Sequence, residues 1–350
     1  MHGTTTAKRQ QLFVSLLLTF TLVVPHVAYS VTPFAVTNTI TTLVVLFSIL
    51  LFLVTKCRLD KVGIILFISC SSAGLATWLK TGVLIQGAIL LCPFVGLLCY
   101  RSLRQNRIDP RVLLWTYALL AIYFYLVYYS RLPSFFDRGQ YFDEDAFVFE
   151  RSSSNAIPIA LNFLVFLIFN FLPKQKTPTI NKRWLLFALL NLLLCSIQGS
   201  RGGVVTAALF CCYTIFPSWG RRKTYIAAIA ALIFFFTLPR GAGVEEVRFL
   251  AQTDFLRFAI QDSFLFGPNP NRLFGGLTYS YNIFLDSWQR YTFVFAAVAL
   301  SLWLKKVFAL RSSRKILLWL GLTLLVLTER RFFPEYSDFL IFFLLLENDD

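Results

Sequence analysis

The chain has 350 residues, of which 57% are hydrophobic and only 15% are charged, against about a quarter in ordinary soluble domains. Its mean hydropathy is +0.66, and it contains 38 Phe. A soluble globule of this size could not bury so much apolar surface, which excludes a cytosolic enzyme or a secreted domain and indicates a polytopic membrane protein. The net charge of +15 suggests nucleic acid at first sight, but the positions of the charges favour another explanation.

Apolar runs recur along the chain at lengths near the roughly 20 residues that cross the hydrocarbon of a bilayer. They predict an all-α fold, a polytopic bundle of about 12 transmembrane helices that forms one integral membrane domain over 1–350. The runs at 203–217 and 333–346 are short for complete spans. The predicted spans lie near 11–30, 35–55, 62–79, 82–100, 112–130, 157–173, 184–198, 203–217, 224–239, 284–304, 315–328 and 333–346.

The positive charges lie mainly on one side of this predicted arrangement. With Lys8 and Arg9 placed in the cytoplasm, the cytoplasmic segments hold 21 of the 33 basic residues and five of the 18 acids. That face carries a net +16 and the opposite face −1, as the positive-inside rule requires. The distribution predicts that both termini are cytoplasmic. Since the basic residues are spread over six short loops, we expect no nucleic-acid partner.

The residue types that bind metals or form disulfides give no sign of such a site. By this topology the seven cysteines lie in spans or at the cytoplasmic border, so a disulfide framework is not expected. No two CxxC motifs pair, and His2 and His26 are the only histidines, which argues against zinc. We expect no cofactor and no metal.

Two predicted external loops are long, and long ordered loops are more often functional than decorative. The first covers 131–156 and carries five acids against three arginines. The second covers 240–283 and contains a stretch from Glu245 to Leu265 that fits an amphipathic helix lying in the membrane interface. The apolar positions of that stretch are Val247, Leu250, Phe255, Phe258, Ala259 and Leu265.

Several arginines lie on the external side, where the positive-inside rule does not account for them. Arginine offers a planar fork of donors that matches phosphate oxygens, so the set predicts a phosphorylated substrate at the outer membrane surface. Any one of them can instead contact a lipid headgroup or pair with Glu245, Glu246 or Asp254. The arginines are Arg201 in a Gly-Ser-Arg-Gly-Gly segment, and Arg240, Arg248, Arg257 and Arg272 in the second loop.

Three segments, in chain order, resemble motifs of one family. Residues 194–203 (LCSIQGSRGG) resemble a small-Ser-Arg-Gly segment that ends a span, and Arg248 followed by Gly267 resembles an Arg…Trp…Pro-Leu-Phe-Gly loop. Residues 281–291 (YNIFLDSWQRY) resemble a His-Asn-x-x-Leu segment, and Ser154-Asn155-Ala156 is a weaker fourth match. The second half of the chain is thus similar to the O-antigen polymerase and O-antigen ligase superfamily, membrane glycosyltransferases that use polyprenyl-diphosphate-linked sugars.

The resemblance implies a metal-independent enzyme of the bacterial inner (cytoplasmic) membrane that acts on undecaprenyl-diphosphate-linked oligosaccharide at the periplasmic face. It also implies the lipid bilayer, a chain-length regulator and a flippase as partners. Fixed guanidinium groups can stabilise the departing diphosphate, and a carboxylate such as Glu245, Glu246, Asp254 or Asp286 can accept the proton of the attacking hydroxyl. The expected catalytic residues are Arg201, Arg248, Tyr281 and Asn282, and the expected substrate-binding residues are Arg257, Arg240, Arg272, Glu245, Asp254 and Asn155.

Departures from the family pattern separate its two activities. Tyr281 stands where a ligase has a His, which favours polymerase over transfer of the glycan to lipid A-core. The Trp expected after the loop arginine is absent, and Thr292 and Phe295 replace expected glycines. A transporter or flippase for lipid-linked sugars is a further alternative, although the spans hold few ionisable groups at mid-depth and no internal repeat is seen. A purely structural membrane protein would not need the arginines.

The predicted topology has a direct test. Cysteines introduced at 144 and 262 should react with a membrane-impermeant thiol reagent added to intact cells, because both positions fall in external loops. A cysteine at 106, in a predicted cytoplasmic segment, is the control and should react only after permeabilisation. Reaction of 144 or 262 only after permeabilisation would contradict the topology.

Overall fold

The structure, a computed structural model, describes mainly residues 61–82, 90–105, 110–128, 156–171, 182–197, 201–215, 244–269, 272–276, 282–290, 292–310 and 315–328. Within these ranges the chain forms ten helices and no strands, so the prediction of an all-α fold is confirmed there. In the described residues, no helix combines the length and the apolar character needed to cross a membrane. The helices are α1 (Lys61–Thr81), α2 (Cys92–Gln105), α3 (Pro110–Tyr128), α4 (Ala156–Phe171), α5 (Lys182–Ile197), α6 (Arg201–Ile215), α7 (Val244–Asp262), α8 (Ile283–Arg290), α9 (Phe293–Ala309) and α10 (Ile316–Thr328).

Six predicted apolar runs coincide with single helices to within about two residues, namely those that became α1, α3, α4, α5, α6 and α10. The run at 284–304 differs, because it is divided between α8 and α9. Thr292 is the N-cap just before α9, and its side-chain hydroxyl accepts a hydrogen bond from Phe295 N at 3.3 Å. The runs at 11–30, 35–55, 224–239 and 333–346 lie mostly outside the described residues.

The chain divides into two compact units, and the first contains α1, α2 and α3 as far as Tyr123. In it α1 packs against α2, with the rings of Phe67 and Phe94 4.9 Å apart. The helix α3 is apolar on two sides. One side is buried and includes Leu113 and Tyr117, whereas the other carries exposed large side chains at helical spacing, which are Trp115, Leu119, Ile122 and Leu126.

The second unit runs from α4 to α10 and has α4 at its centre. Every side chain from Leu161 to Phe169 is buried, as expected of a helix that is apolar all round. Phe166 meets Trp319 of α10 edge to face at a centroid distance of 5.0 Å. Phe169 contacts rings of two further helices, which are Trp184 and Phe187 of α5 and Phe210 and Tyr213 of α6.

The helices α6 and α10 approach closely at Gly321. A Cβ atom there would lie 3.0 Å from Cγ2 of Thr206 and 3.2 Å from Cε1 of Phe210. The Thr206 hydroxyl donates a 2.9 Å hydrogen bond to the Gly321 carbonyl, so a buried polar group is satisfied at the point of contact. The absence of a side chain on Gly321 therefore permits both the contact and the hydrogen bond.

A buried amide network links α4, α5 and α6. The side-chain nitrogen of Asn162 donates to the Gly203 carbonyl at 3.0 Å, and that of Asn191 donates to the Asn162 side-chain oxygen at 2.8 Å. Asn162, Asn191 and Cys195 are fully buried, and the Asn162 nitrogen lies 3.5 Å from the Cys195 sulfur. Burying amides costs free energy unless their hydrogen bonds are made, so the network specifies how the three helices align.

Breaking this network from one end should destabilise the second unit. Asn162→Leu leaves the Asn191 amide without its Asn162 acceptor and should lower the free energy of unfolding by about 1–3 kcal/mol. The double variant Asn162→Leu/Asn191→Leu should lose less than the sum of the single losses, because both amides are gone. Thermal exposure of the buried Cys195 thiol to a thiol-reactive dye measures the effect, in a background where the other cysteines are replaced by alanine.

The matched control is Ser196→Ala, since the Ser196 hydroxyl is exposed and donates only within its own helix, to the Leu192 carbonyl at 2.8 Å. Its unfolding temperature should be close to that of the unmodified chain. Strictly additive losses in the double variant would show that the two amides do not act as one network.

Candidate functional site

The helix α7 lies in the second predicted external loop, where the amphipathic stretch was expected. Ala251, Phe255 and Ala259 follow one another at intervals of four residues and are fully buried. Of the other predicted apolar positions, Phe258 is partly buried, whereas Leu250 and Leu265 are exposed. Three of the six predicted apolar positions, Phe255, Phe258 and Ala259, thus pack within the protein, and the expectation that the helix lies in the membrane interface stays a prediction.

A cluster of aromatic rings receives the buried face of α7. It combines Ala251, Phe255 and Ala259 with Phe274 of the following loop, Trp288 of α8 and Ala296 of α9. Trp288 is central: its ring lies 5.8 Å from Phe255, 5.2 Å from Phe264 and 4.9 Å from Phe293, measured between centroids. Its indole N–H donates to the Phe264 carbonyl at 2.8 Å, so the buried polar atom is satisfied.

The chain between α7 and α8 is held by backbone hydrogen bonds, one from α9 and one within the segment itself. Phe293 N donates to the Leu265 carbonyl at 2.9 Å, and Gly267 N donates to the Ser263 carbonyl at 2.8 Å. Gly267 has φ +79°, and a Cβ atom there would lie 3.1 Å from the Cα of Gln289. Glycine is therefore required for both its backbone conformation and its close approach to α8.

Asp262, the last residue of α7, anchors the turn that follows. It accepts the backbone N–H of Asn269 at 3.0 Å and two guanidinium hydrogen bonds from Arg272, at 3.2 Å from Nε and 2.9 Å from Nη2. The Arg272 guanidinium also lies 4.7 Å from the centroid of the Phe258 ring. The hydrogen bonds from Arg272, followed by that from Asn269, lower the pKa of the Asp262 carboxyl from its ordinary value.

Asn282 immediately precedes α8 and caps it. Its side-chain oxygen accepts hydrogen bonds from Phe284 N at 2.9 Å and Leu285 N at 3.3 Å. Within α8, the buried Asp286 carboxylate accepts the backbone N–H of Ser280 at 3.0 Å and its hydroxyl at 2.9 Å. These two residues therefore fix where the chain enters α8.

The other predicted site residues fall into three groups. Asp254 is half-buried and accepts Gly275 N at 2.9 Å, and Arg257 is exposed on α7. Arg201 is the first residue of α6, two positions before Gly203, whose carbonyl accepts from Asn162. Glu245 and Arg248 lie in the first turns of α7. Arg240, Tyr281 and Asn155 lie outside the described residues.

The sequence patterns drew attention to arginines and did not single out Asp262, Ser280 or Trp288. Asp262 stands ten residues before Arg272 across a Gly-Pro-Asn-Pro-Asn turn, and that turn was the available signal for a return contact. Trp288 was quoted only as part of the segment 281–291. Its role depends on the packing of α7 against α8, which no local pattern encodes.

Within the described ranges, no three side chains among His, Cys, Asp and Glu lie close enough together to hold a metal ion. The expectation of a metal-independent reaction stays a prediction. A comparison with models of protein families, with curated proteins and with solved structures finds no match. The resemblance to the O-antigen polymerase and ligase superfamily therefore stays a prediction that depends on the segments quoted above.

The Asp262–Arg272 pair should make the order of the loop depend on pH. Because the folded-state pKa of Asp262 is lowered, its contribution is complete above the ordinary carboxyl range and is lost as the pH falls through the lowered pKa. A nitroxide label at exposed position 273 should be immobile at neutral pH and become mobile in acid, as measured by its electron paramagnetic resonance line shape. Asp262→Asn should make the label mobile at neutral pH as well.

Arg257→Gln is the matched control, because Arg257 is also an exposed arginine associated with α7 but is not a partner of Asp262. It should leave the line shape unchanged. An immobile label in Asp262→Asn at neutral pH would mean that the ion pair does not order the turn.

Proposed function

We propose that the chain is a polytopic membrane enzyme of about 12 transmembrane helices that polymerises lipid-linked oligosaccharide repeat units on the outer face of the inner membrane. The substrate class is an undecaprenyl-diphosphate-linked oligosaccharide, as both donor and acceptor, and the product is a longer glycan on the carrier of the acceptor. The proposal rests on the distribution of charge, the external arginines, the quoted resemblance and the organisation of the second loop.

Exposed apolar surface supports a membrane environment. The stripe on α3 from Trp115 to Leu126 has a counterpart on α5, where four exposed leucines recur at helical spacing. Soluble proteins rarely expose apolar patches of this kind, whereas lipid tails cover them without cost. The leucines of α5 are Leu186, Leu189, Leu190 and Leu193.

The observation that carries the proposal is the shared aromatic cluster of α7, α8 and α9. It holds the helix that bears Arg248 and Arg257 against the helix that begins just after Asn282. Helices that carry or adjoin the expected catalytic residues Arg248 and Asn282 therefore belong to one packed body. Such an arrangement suits a reaction in which fixed charges must be positioned before the negative charge develops.

In the proposed reaction, a hydroxyl oxygen of the acceptor sugar forms a bond to the anomeric carbon of the donor. The bond from that carbon to the diphosphate breaks, and undecaprenyl diphosphate leaves with the electron pair. Arg201 and Arg248 stabilise the negative charge on its phosphate oxygens. The proton of the attacking hydroxyl passes to a carboxylate.

Among the candidate carboxylates, Asp254 is better suited to accept the proton than Asp286. Asp254 is half-buried and uses one oxygen to accept Gly275 N. Asp286 is only 5% exposed and holds Ser280 with two hydrogen bonds, so an acceptor hydroxyl could not reach it without rearrangement of the entry to α8. Asp254→Asn keeps an acceptor for Gly275 N but removes the base, and we expect it to reduce glycan assembly while leaving the loop ordered.

The arginine variants test the diphosphate role. Arg201→Ala and Arg248→Ala should each reduce glycan assembly by roughly 100-fold or more at near-normal protein levels, because fixed charge toward the leaving group is lost. Lys replacements should restore activity only in part, since Lys lacks the bidentate fork. Arg222→Ala, at an exposed arginine in a predicted cytoplasmic segment, is the control and should retain full activity. Full activity of the Arg201 and Arg248 variants would rule out the role.

Gel analysis of lipopolysaccharide separates polymerase from ligase. Deletion of the gene should leave lipid A-core that carries a single repeat unit, because chain growth stops but transfer of one unit continues. Bare core together with polymer retained on the polyprenyl carrier would instead identify a ligase. An unchanged ladder would contradict both activities and favour a transporter or another role.

A further inference from the structure

The helix α7 has a second apolar face besides the one buried in the aromatic cluster. Phe249, Leu256 and Ile260 are spaced by seven and four residues and fall within about 40° of one another around the helix axis. All three are exposed, Phe249 by 72% and Ile260 by 73%. Packing among the residues that the structure describes therefore does not account for this face.

Of the charged side chains described on α7, the one nearest this face is an arginine. Among the charged side chains described on α7, Asp254 bonds to Gly275 N and Asp262 to Arg272. Arg257 follows Leu256 and is exposed, and among the described residues no carboxylate pairs with it. An apolar stripe flanked by an arginine complements a surface that is apolar below and carries phosphate above.

The packing of α7 on α9 indicates the depth of this face relative to the hydrocarbon of the bilayer. The buried side of α7 packs on Ala296, in the first turn of α9, and Phe293 N bonds to the Leu265 carbonyl. Exposed apolar side chains begin at the same turn of α9, with Val294 and Val298. If α9 crosses the bilayer as the charge distribution predicts, then α7 lies at the outer boundary of the hydrocarbon.

We propose that the face of α7 formed by Phe249, Leu256 and Ile260 docks on the outer leaflet of the membrane, with Arg257 contacting lipid phosphates. This rests on the outward orientation in the proposed function. A protein partner is the poorer occupant, because the three side chains bury at most several hundred Å², against about 800 Å² that each partner contributes to a stable protein interface.

The consequence concerns how the substrate arrives. A polyprenyl carrier lies in the bilayer with its diphosphate at headgroup level. Docking of α7 places Arg257 at that level, where a free phospholipid and a carrier diphosphate present the same phosphate chemistry. Substrate would then reach the arginines of the second loop by lateral diffusion in the leaflet.

Photocrosslinking in native membranes tests the proposal with the full chain. Phe249, Leu256 or Ile260 is replaced, one at a time, by photoreactive p-benzoylphenylalanine, and the adducts are identified by mass spectrometry. We expect phospholipid adducts at all three positions. Position 261 is the matched control, because Gln261 is exposed on the same helix but points about 120° away from the stripe, and it should give few. Position 190, in the leucine stripe of α5, is the positive control for lipid contact.

The outcomes separate this inference from the proposed function. Lipid adducts at 190 together with protein adducts, or none, at 249, 256 and 260 would overturn docking alone. Equal lipid adducts at 261 would also overturn it, since lipid contact would then not be specific to the stripe of Phe249, Leu256 and Ile260. Absence of lipid adducts at 190 would overturn the membrane arrangement and docking with it.

A second measurement tests the role of Arg257. In membranes rich in anionic lipid, Arg257→Gln should lower the adduct yield at 256 by about fivefold, whereas in vesicles of neutral lipid it should have little effect. Equal yields from the variant and the unmodified chain in anionic membranes would remove the phosphate contact from the proposal.

Discussion

The organisation of the second loop depends on Trp288. Its ring contacts the rings of Phe255 of α7, Phe264 of the loop and Phe293 of α9. Its indole N–H is buried and therefore needs a hydrogen-bond acceptor. The Phe264 carbonyl meets that requirement at 2.8 Å. One side chain thus supplies both apolar contact among three segments and a directional bond that fixes the loop. Without Trp288, the buried face of α7 would lose an aromatic contact at Phe255.

Polar groups give the helix packing of the second unit its specificity. Apolar side chains such as those of α4 pack in many alignments at similar free energy, but an unsatisfied buried amide is costly. Asn162 meets its requirement only when α5 supplies Asn191 and α6 supplies the Gly203 carbonyl. Thr206 imposes a similar condition on α6 and α10. The alignment of α6, which begins at Arg201, therefore follows from hydrogen bonds that lie deeper in the unit.

Arginines of the second loop serve different purposes. Arg272 is engaged by Asp262 and lies against Phe258, so it orders the turn, and any contact with substrate would compete with that pair. Arg257 extends from the exposed side of α7, beside an apolar stripe. The distinction matters for chemistry, because a guanidinium that already neutralises a carboxylate stabilises a diphosphate less. The proposed reaction requires a guanidinium group that packing holds in place and that no internal carboxylate already neutralises.

Apolar runs of fixed length are local properties, so they predicted correctly that the described chain is helical and where most of its helices lie. The sequence also indicated the stretch that became α7 and drew attention to Asn282, which caps α8. It could not determine that the face of α7 with Phe255 is buried inside the protein, because that depends on contact with the distant ring of Trp288. Nor could it show that one predicted span divides at Thr292 or that Arg272 pairs with Asp262. Those features depend on contacts between residues distant in the chain, and only the tertiary structure brings such residues together.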